Sequence, residues 1–285
     1  MKIIGTGLSG LVGSRVAELL SPFRFENYSL ETGVDITEKD DITRKIVSDT
    51  SASWVFHLAA YTNVQKAETD KATAELVNVT ATQYIVDACR SSGKRLVYVD
   101  TDYAFDGKKK GGYTEADTPS PLGWYAKTKS EGAKRVLSYD KGLVIRISNP
   151  YRAHPVGKTD FVHKILEQLQ SGQDVMAPTD QVFVPTFVDD IAAALRTLVA
   201  AEATGMYHVT PKTGISPFDA ARVIAKTYGC DTNLVKPTTF ARYFSGRAPV
   251  PQYALLLNDK ITRLGVLMHD FPSGIAEMCR QEASF

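Results

Sequence analysis

The first thirteen residues, Met1–Gly13, set the strongest limit on what this chain can fold into. Lys2–Thr6 reads as a short strand. Gly7, Gly10 and Gly13 follow at intervals of three, with Gly5 just before them, and Leu11–Leu20 then reads as a helix. Glycines at a strand-to-helix turn allow a tight bend, close approach of backbone to a pyrophosphate, and close packing of helix on strand. The N–H groups of the first helical turn then face the phosphates. Gly7, Gly10, Leu11, Val12 and Gly13 are thus the candidate pyrophosphate residues. The spacing is Gly-x-x-Gly-x-x-Gly rather than Gly-x-Gly-x-x-Gly, so the strand–loop–helix context is what favours a dinucleotide over a ligand-free turn.

The rest of the first 150 residues repeats this alternation. Short apolar runs at Asn27–Leu30, Ser53–Leu58, Arg95–Val99 and Leu143–Ile147 read as strands. Glu38–Ser48, Glu68–Ser92 and Trp124–Ser138 read as helices. Strands alternating with helices predict βαβ units, and right-handed crossovers place helices on both faces of a doubly wound parallel sheet. After Pro150 the elements shorten and prolines multiply. Asp189-Asp190 opens a helix to about Ala201, and Met206–Val209 reads as a further strand. We expect a dinucleotide-binding α/β domain over residues 1–150, also receiving elements near 188–210, and a smaller, interleaved substrate domain over 151–285.

Composition removes several function classes. Lys plus Arg number 33 against 32 Asp plus Glu, without the basic excess of a surface that tracks nucleic acid. Three separated cysteines fit a reducing compartment better than a disulfide framework. No apolar run reaches the ~18 residues of a membrane span, and the N-terminal residues do not read as a signal peptide. A cytoplasmic protein is expected. The five histidines are scattered, so no metal site is predicted.

Two groups of residues carry chemistry. Glu31 follows the second strand, where an acid accepts hydrogen bonds from a ribose 2′-hydroxyl and favours NADH; Arg15 is the alternative, reaching a 2′-phosphate. Asp35-Ile36, at the expected start of the next helix, is placed for the adenine end. The second group is Tyr125 and Lys129, four apart on one helix face. An ammonium there would lower the phenol pKa and make Tyr125 a proton donor to a carbonyl under reduction. The strand at Arg95–Val99 delivers Thr101, whose hydroxyl can hold the substrate oxygen. Asp100 reads as a loop cap, His57 as a core residue and Lys108–Lys110 as a solvated loop.

These pieces together resemble the dTDP-4-dehydrorhamnose reductases of the extended short-chain dehydrogenase/reductase superfamily. The resemblance runs through Ala59-Ala60-Tyr61-Thr62-Asn63-Val64-Gln65-Lys66-Ala67-Glu68, Thr101-Asp102-Tyr103-Ala104-Phe105-Asp106-Gly107, Tyr125-Ala126-Lys127-Thr128-Lys129, and Asp180-Gln181 followed by Pro185-Thr186. It implies reduction of the 4-keto group of a nucleotide-linked 6-deoxy sugar with NADPH or NADH. Tyr125 would be the acid and Lys129 its modulator, with Thr101 and Asp102 at the substrate. Ala59, Ala60 and Tyr61 would line the cofactor, and Asn149 and Arg247 would touch the substrate. A homodimer is implied by resemblance alone.

The sequence departs from the family at Asp100, where Ser is usual, at Gln65, where Asp is usual, and at Ser148-Asn149-Pro150-Tyr151, which is nearer to the sugar epimerases. Two other readings therefore stay open. One is an epimerase or dehydratase that retains NAD. The other is a non-catalytic regulatory subunit resembling the methionine adenosyltransferase β subunit.

Overall fold

The structure is a computed structural model that describes residues 1–284. Ten strands are formed: β1 (Lys2–Thr6), β2 (Arg24–Tyr28), β3 (Ala52–His57), β4 (Arg95–Thr101), β5 (Gly142–Ile147), β6 (Pro150–Tyr151), β7 (Val175–Pro178), β8 (Thr186–Phe187), β9 (Gly205–His208) and β10 (Val235–Thr238). The helices are α1 (Leu11–Leu19), α2 (Lys39–Ser48), α3 (Val64–Ala67), α4 (Lys71–Glu75), α5 (Ala81–Ser92), α6 (Trp124–Leu137), α7 (Phe161–Gln170), α8 (Val188–Ala200), α9 (Pro217–Thr227), α10 (Phe240–Tyr243), α11 (Asp259–Thr262) and α12 (Phe271–Glu282).

Six strands make one parallel sheet in the order β2-β1-β3-β4-β5-β9. It is the expected doubly wound, Rossmann-type sheet. Alternate side chains enter two separate cores, as the period of a strand dictates. Ile3, Val97, Leu143 and Ile145 pack on one face with Val16 of α1 and Ile191 and Leu195 of α8. Ile4, Leu96, Tyr98 and Val144 pack on the other with Ile42 of α2, Ile85 of α5 and Val136 of α6. A third core, including Tyr151, Val162, Leu166, Phe187, Ile224 and Ile275, builds a separate lobe from α7, α9, α12 and the paired strands β6-β8 and β7-β10. The chain enters this lobe after β5, returns to the main sheet for α8 and β9, then goes back.

Four expectations change. The second strand ends at Tyr28, not Leu30, because Ser29 and Thr32 form a reciprocal cap that starts a single 3₁₀ turn at Leu30–Thr32. This is one of the sheet's two edge strands, so its apolar alternation is weak. Asp35-Ile36 does not begin a helix. The Asp35 carboxylate accepts from the Thr37 N–H at 2.8 Å and its hydroxyl at 2.7 Å, which holds a turn and delays α2 to Lys39. The segment expected as one helix from Glu68 instead starts at Lys71 and widens to a π turn over Leu76–Thr80 before α5. That turn faces Asn78 inward, where its side chain bonds the Tyr61 N–H, the Tyr61 carbonyl and the Thr128 hydroxyl; π bulges of this kind often occur at functional sites. Asp100 is not a loop cap; it lies within β4, fully buried.

Candidate functional site

In open α/β sheets, ligands bind beyond the carboxyl ends of the strands where the strand order reverses. Here the reversal lies between β1 and β3, and a cavity of about 600 Å³ opens there. Its walls include Gly7, Gly10, Leu11, Val12 and Gly13 from the first turn, Ala59 and Ala60 after β3, Thr101 and Asp102 at the end of β4, Tyr125 and Lys129 from α6, and Asn149 after β5.

The glycine turn is shaped by space. Gly7 has φ +71°, and a Cβ there would lie 2.5 Å from the Ala59 nitrogen. A Cβ on Gly13 would run into the Gly7 carbonyl oxygen and come within 2.8 Å of the Leu8 Cα. At Gly10 an added Cβ would meet only the Gly7 carbonyl, at 3.3 Å. Gly10 therefore keeps ligand space clear, whereas Gly7 and Gly13 let the chain pack on itself. No side chain caps the start of α1, so its leading N–H groups suit an anion. The turn fits a dinucleotide pyrophosphate.

Behind the turn, His57 is buried with both ring nitrogens bonded. Thr82 donates to the Asn78 carbonyl and so accepts from His57 Nε2 at 3.0 Å; Nδ1 then accepts from the Thr6 hydroxyl at 2.8 Å. Burial pushes its pKa down to about 3, with the Lys129 charge adding to the shift, so the ring is a neutral core tie.

Beside the glycine turn, the Ser9 hydroxyl donates to Glu31 Oε2 at 2.7 Å, which fastens this exposed carboxylate to the turn. Arg15, the alternative, is committed elsewhere: its Nε and Nη2 donate to both carboxylate oxygens of Asp189, each at 2.7 Å. Asp35 lines a separate shallow depression, and Ile36 is buried in the core against α2.

Tyr125 and Lys129 face the cavity from α6, as their spacing predicts. The helix start is fixed by Glu68, whose Oε1 accepts from the Trp124 N–H at 2.6 Å. Gln65 accepts from the Ala248 N–H at 2.8 Å and ties the same segment to the C-terminal part of the chain. The Lys129 ammonium sits 3.9 Å from the centroid of the Tyr98 ring. Burial lowers its pKa to about 8, while the charge of Asp100 acts upward.

The expected lowering of Tyr125 is not found. Burial, then Asp100 and Asp102, push its pKa well above that of an ordinary phenol, and only the Thr101 hydroxyl acts downward. The site therefore holds this phenol protonated. Thr101 donates to Asp102 Oδ1 at 3.1 Å, and Ser148 donates to Asp102 Oδ2 at 2.6 Å. Asp102 is buried and its pKa is pushed up to about 6, these hydroxyls opposing the rise. Asn149 holds φ +39° and reaches the Ser148 hydroxyl at 3.2 Å.

Besides Glu31, Asp35 and Ile36, two predicted residues lie off the cavity wall: the Tyr61 hydroxyl donates to Asp70, and Arg247, exposed, stacks 4.2 Å from the Tyr243 ring centroid. Several wall or supporting residues were missed. Tyr103 meets the Tyr125 ring edge-on at 6.3 Å. Lys158 and Lys164 bring two cations to the wall from the second lobe. Ser148 and Asn78 act from behind. Of these, Tyr103 lay inside the Thr101–Gly107 run without being singled out, and Asn78 carried a local signal, an amide in the middle of an otherwise helical run.

The geometry agrees with comparisons to known proteins. The family model of the RmlD substrate binding domain matches residues 1–284. A dTDP-4-dehydrorhamnose reductase of Mycobacterium tuberculosis is 33% identical over 263 residues, covering 90% of this chain and 84% of its own length. A dTDP-4-keto-6-deoxy-D-glucose reductase of Streptomyces niveus is 30% identical over 266 residues, covering 92% and 90%. Among solved structures, a dTDP-4-dehydrorhamnose reductase of Bacillus anthracis in complex with NADP superposes with a TM-score of 0.91 at 25% identity, covering 98% of this chain and 99% of its own.

Proposed function

The chain belongs to the RmlD substrate binding domain family, and from that premise we propose that it reduces the 4-keto group of a nucleotide-linked 6-deoxy sugar with NADH or NADPH. The observation that carries this reading is one cavity that joins the glycine turn to Tyr125, Lys129 and Thr101. The dinucleotide, when bound, supplies the hydride.

In this reading residues 1–150 with 188–210 hold the dinucleotide, and 151–285 mainly hold the sugar nucleotide. Gly10 admits the pyrophosphate to the start of α1, and Ala59 and Ala60 border it across the switch point. Thr101 orients the carbonyl oxygen. Tyr125, kept as the neutral phenol by burial and two carboxylates, gives that oxygen its proton as charge develops there. Lys129 offsets the resulting phenolate, which its positive charge stabilises. Lys158 and Lys164 attract the diphosphate of the substrate. Glu31, anchored by Ser9, accepts from a 2′-hydroxyl and repels a 2′-phosphate, so NADH is used at least as well as NADPH.

Oxidation of NADH and NADPH across a panel of nucleotide-linked 4-keto sugars tests the function. One cofactor oxidised per sugar reduced is expected. Retention of the cofactor with sugar interconversion would establish an epimerase or dehydratase instead. Absence of any turnover, with a synthetase co-purifying, would establish a regulatory subunit.

A further inference from the structure

Asp100 and Arg146 lie opposite each other in register on β4 and β5, on the face that also carries Tyr98 and α6. Arg146 Nε donates to Asp100 Oδ2 at 2.9 Å, and the two side chains are 2% and 0% exposed. The guanidinium is held from behind. It packs 4.8 Å from the Phe105 ring centroid, and Nη1 lies 3.2 Å from His208 Nε2. Since His208 Nδ1 donates to the Leu257 carbonyl at 3.0 Å, Nε2 is the acceptor for Arg146. This chain of contacts locks one oxygen of Asp100. The other, Oδ1, is buried without a hydrogen-bond partner, and Asp100 borders the cavity.

Tyr98 and Asp100 are next neighbours on one strand face, ~6.6 Å apart along the strand. The Lys129 ammonium rests on Tyr98 and, among the described residues, has no carboxylate within ion-pair distance. A buried anion thus stands one side-chain position from a buried cation, where little water screens them.

We propose that Asp100 is a positioning residue for Lys129: locked by Arg146, it keeps the ammonium charged and available to a dinucleotide in the cavity. The inference rests on the assignment of Tyr125 and Lys129 above but requires only that the dinucleotide bind beside them.

The surrounding groups leave this role to Asp100. Tyr98 lies beneath Lys129, Tyr125 is one turn away on α6, and His57 approaches from β3, 5.6 Å from the Tyr98 ring. Asp102, Thr101 and Tyr103 face Tyr125 rather than Lys129. His57 and His208 are both held neutral by burial, each at about 3. Burial brings Lys129 down to about 8, and Asp100 is the charge that opposes this. The ammonium is therefore lost as pH rises through about 8, and earlier if Asp100 is neutralised.

The test is NADH affinity by fluorescence titration between pH 6 and pH 10, a readout that needs no substrate. Wild type should lose affinity along a limb near pH 8, and Lys129→Met should remove the limb. Asp100→Asn should move it down by about one pH unit, the low end of what a nearby charge produces. If Asp100→Asn, which leaves Arg146 uncompensated, does not fold, the pair Asp100→Leu with Arg146→Leu removes both charges and should move the limb the same way by less. A folded variant with weaker affinity but an unmoved limb, a limb moved upward, or no limb in wild type would overturn the proposal. A chain that binds NADH but reduces no keto sugar would refute the substrate reading and leave this measurement intact.

Discussion

The two ends of the cavity are built on different principles. At the glycine end, the shape comes from what is absent: side chains at Gly7, Gly10 and Gly13 would occupy space needed by the chain or by a ligand. Its parts lie within thirteen residues, apart from the contact with Ala59. At the acid end, the shape comes from buried polar groups joined across long separations. Asp102 meets Ser148, and Asp100 meets Arg146, each pair 46 residues apart. The first end is set by backbone space and tolerates changes that leave that space open. The second is set by charge in a dry interior, where losing one partner strands the other.

This contrast breaks if Gly10→Val is harmless. A valine at Gly10 meets little protein but enters the cavity, so the variant should fold and lose dinucleotide binding altogether, as read by calorimetric titration with NADH and NADPH. Unchanged affinity in the folded variant would put the nucleotide elsewhere. Gly13→Ala sharpens the point, because its methyl group collides with backbone; it should lower the melting temperature where Gly10→Val does not.

At the acid end the expected loss is catalytic. Tyr125→Phe should bind the cofactor as wild type does and turn over ~10²–10⁴-fold more slowly, the range for a positioned general acid. A near-wild-type rate on a substrate of the panel would remove Tyr125 from the mechanism.

The smallest effect is expected at Glu31. Glu31→Ala removes a carboxylate held beside the turn by Ser9 and should shift the ratio of kcat/KM toward NADPH by a modest factor that narrows as salt is added. A strong wild-type preference for NADPH that the substitution leaves unaltered would show that Glu31 does not face the ribose.

Legibility followed the same division. β1 was read to the residue, and α1, α6, β3 and β5 within one, because their periodicities are strong and their partners lie on the sheet's interior faces. β2, an edge strand, and the turn at Asp35 were misread, since local side chain-to-backbone bonds competed with regular structure there. The pairing of Tyr125 with Lys129 was legible from their spacing. The direction in which the Tyr125 phenol is pushed was not, because it is set by burial and by the carboxylates of Asp100 and Asp102, which only the fold brings to it.

From its sequence alone, this chain determined the strand–helix alternation, the glycine turn and the face of α6 that carries Tyr125 and Lys129. Each depends on a repeat of two or about four residues, or on the room a missing Cβ leaves, and these act between near neighbours. The tertiary structure decided which charges meet: Arg15 with Asp189, Glu31 with Ser9, and Asp100 with Arg146. An acid at position 100 reads as a loop cap in the sequence. It becomes a buried ion pair only when β4 and β5 align in register beneath α6 and the surrounding layers exclude water, because the cost of burying a charge depends on what the rest of the fold brings against it.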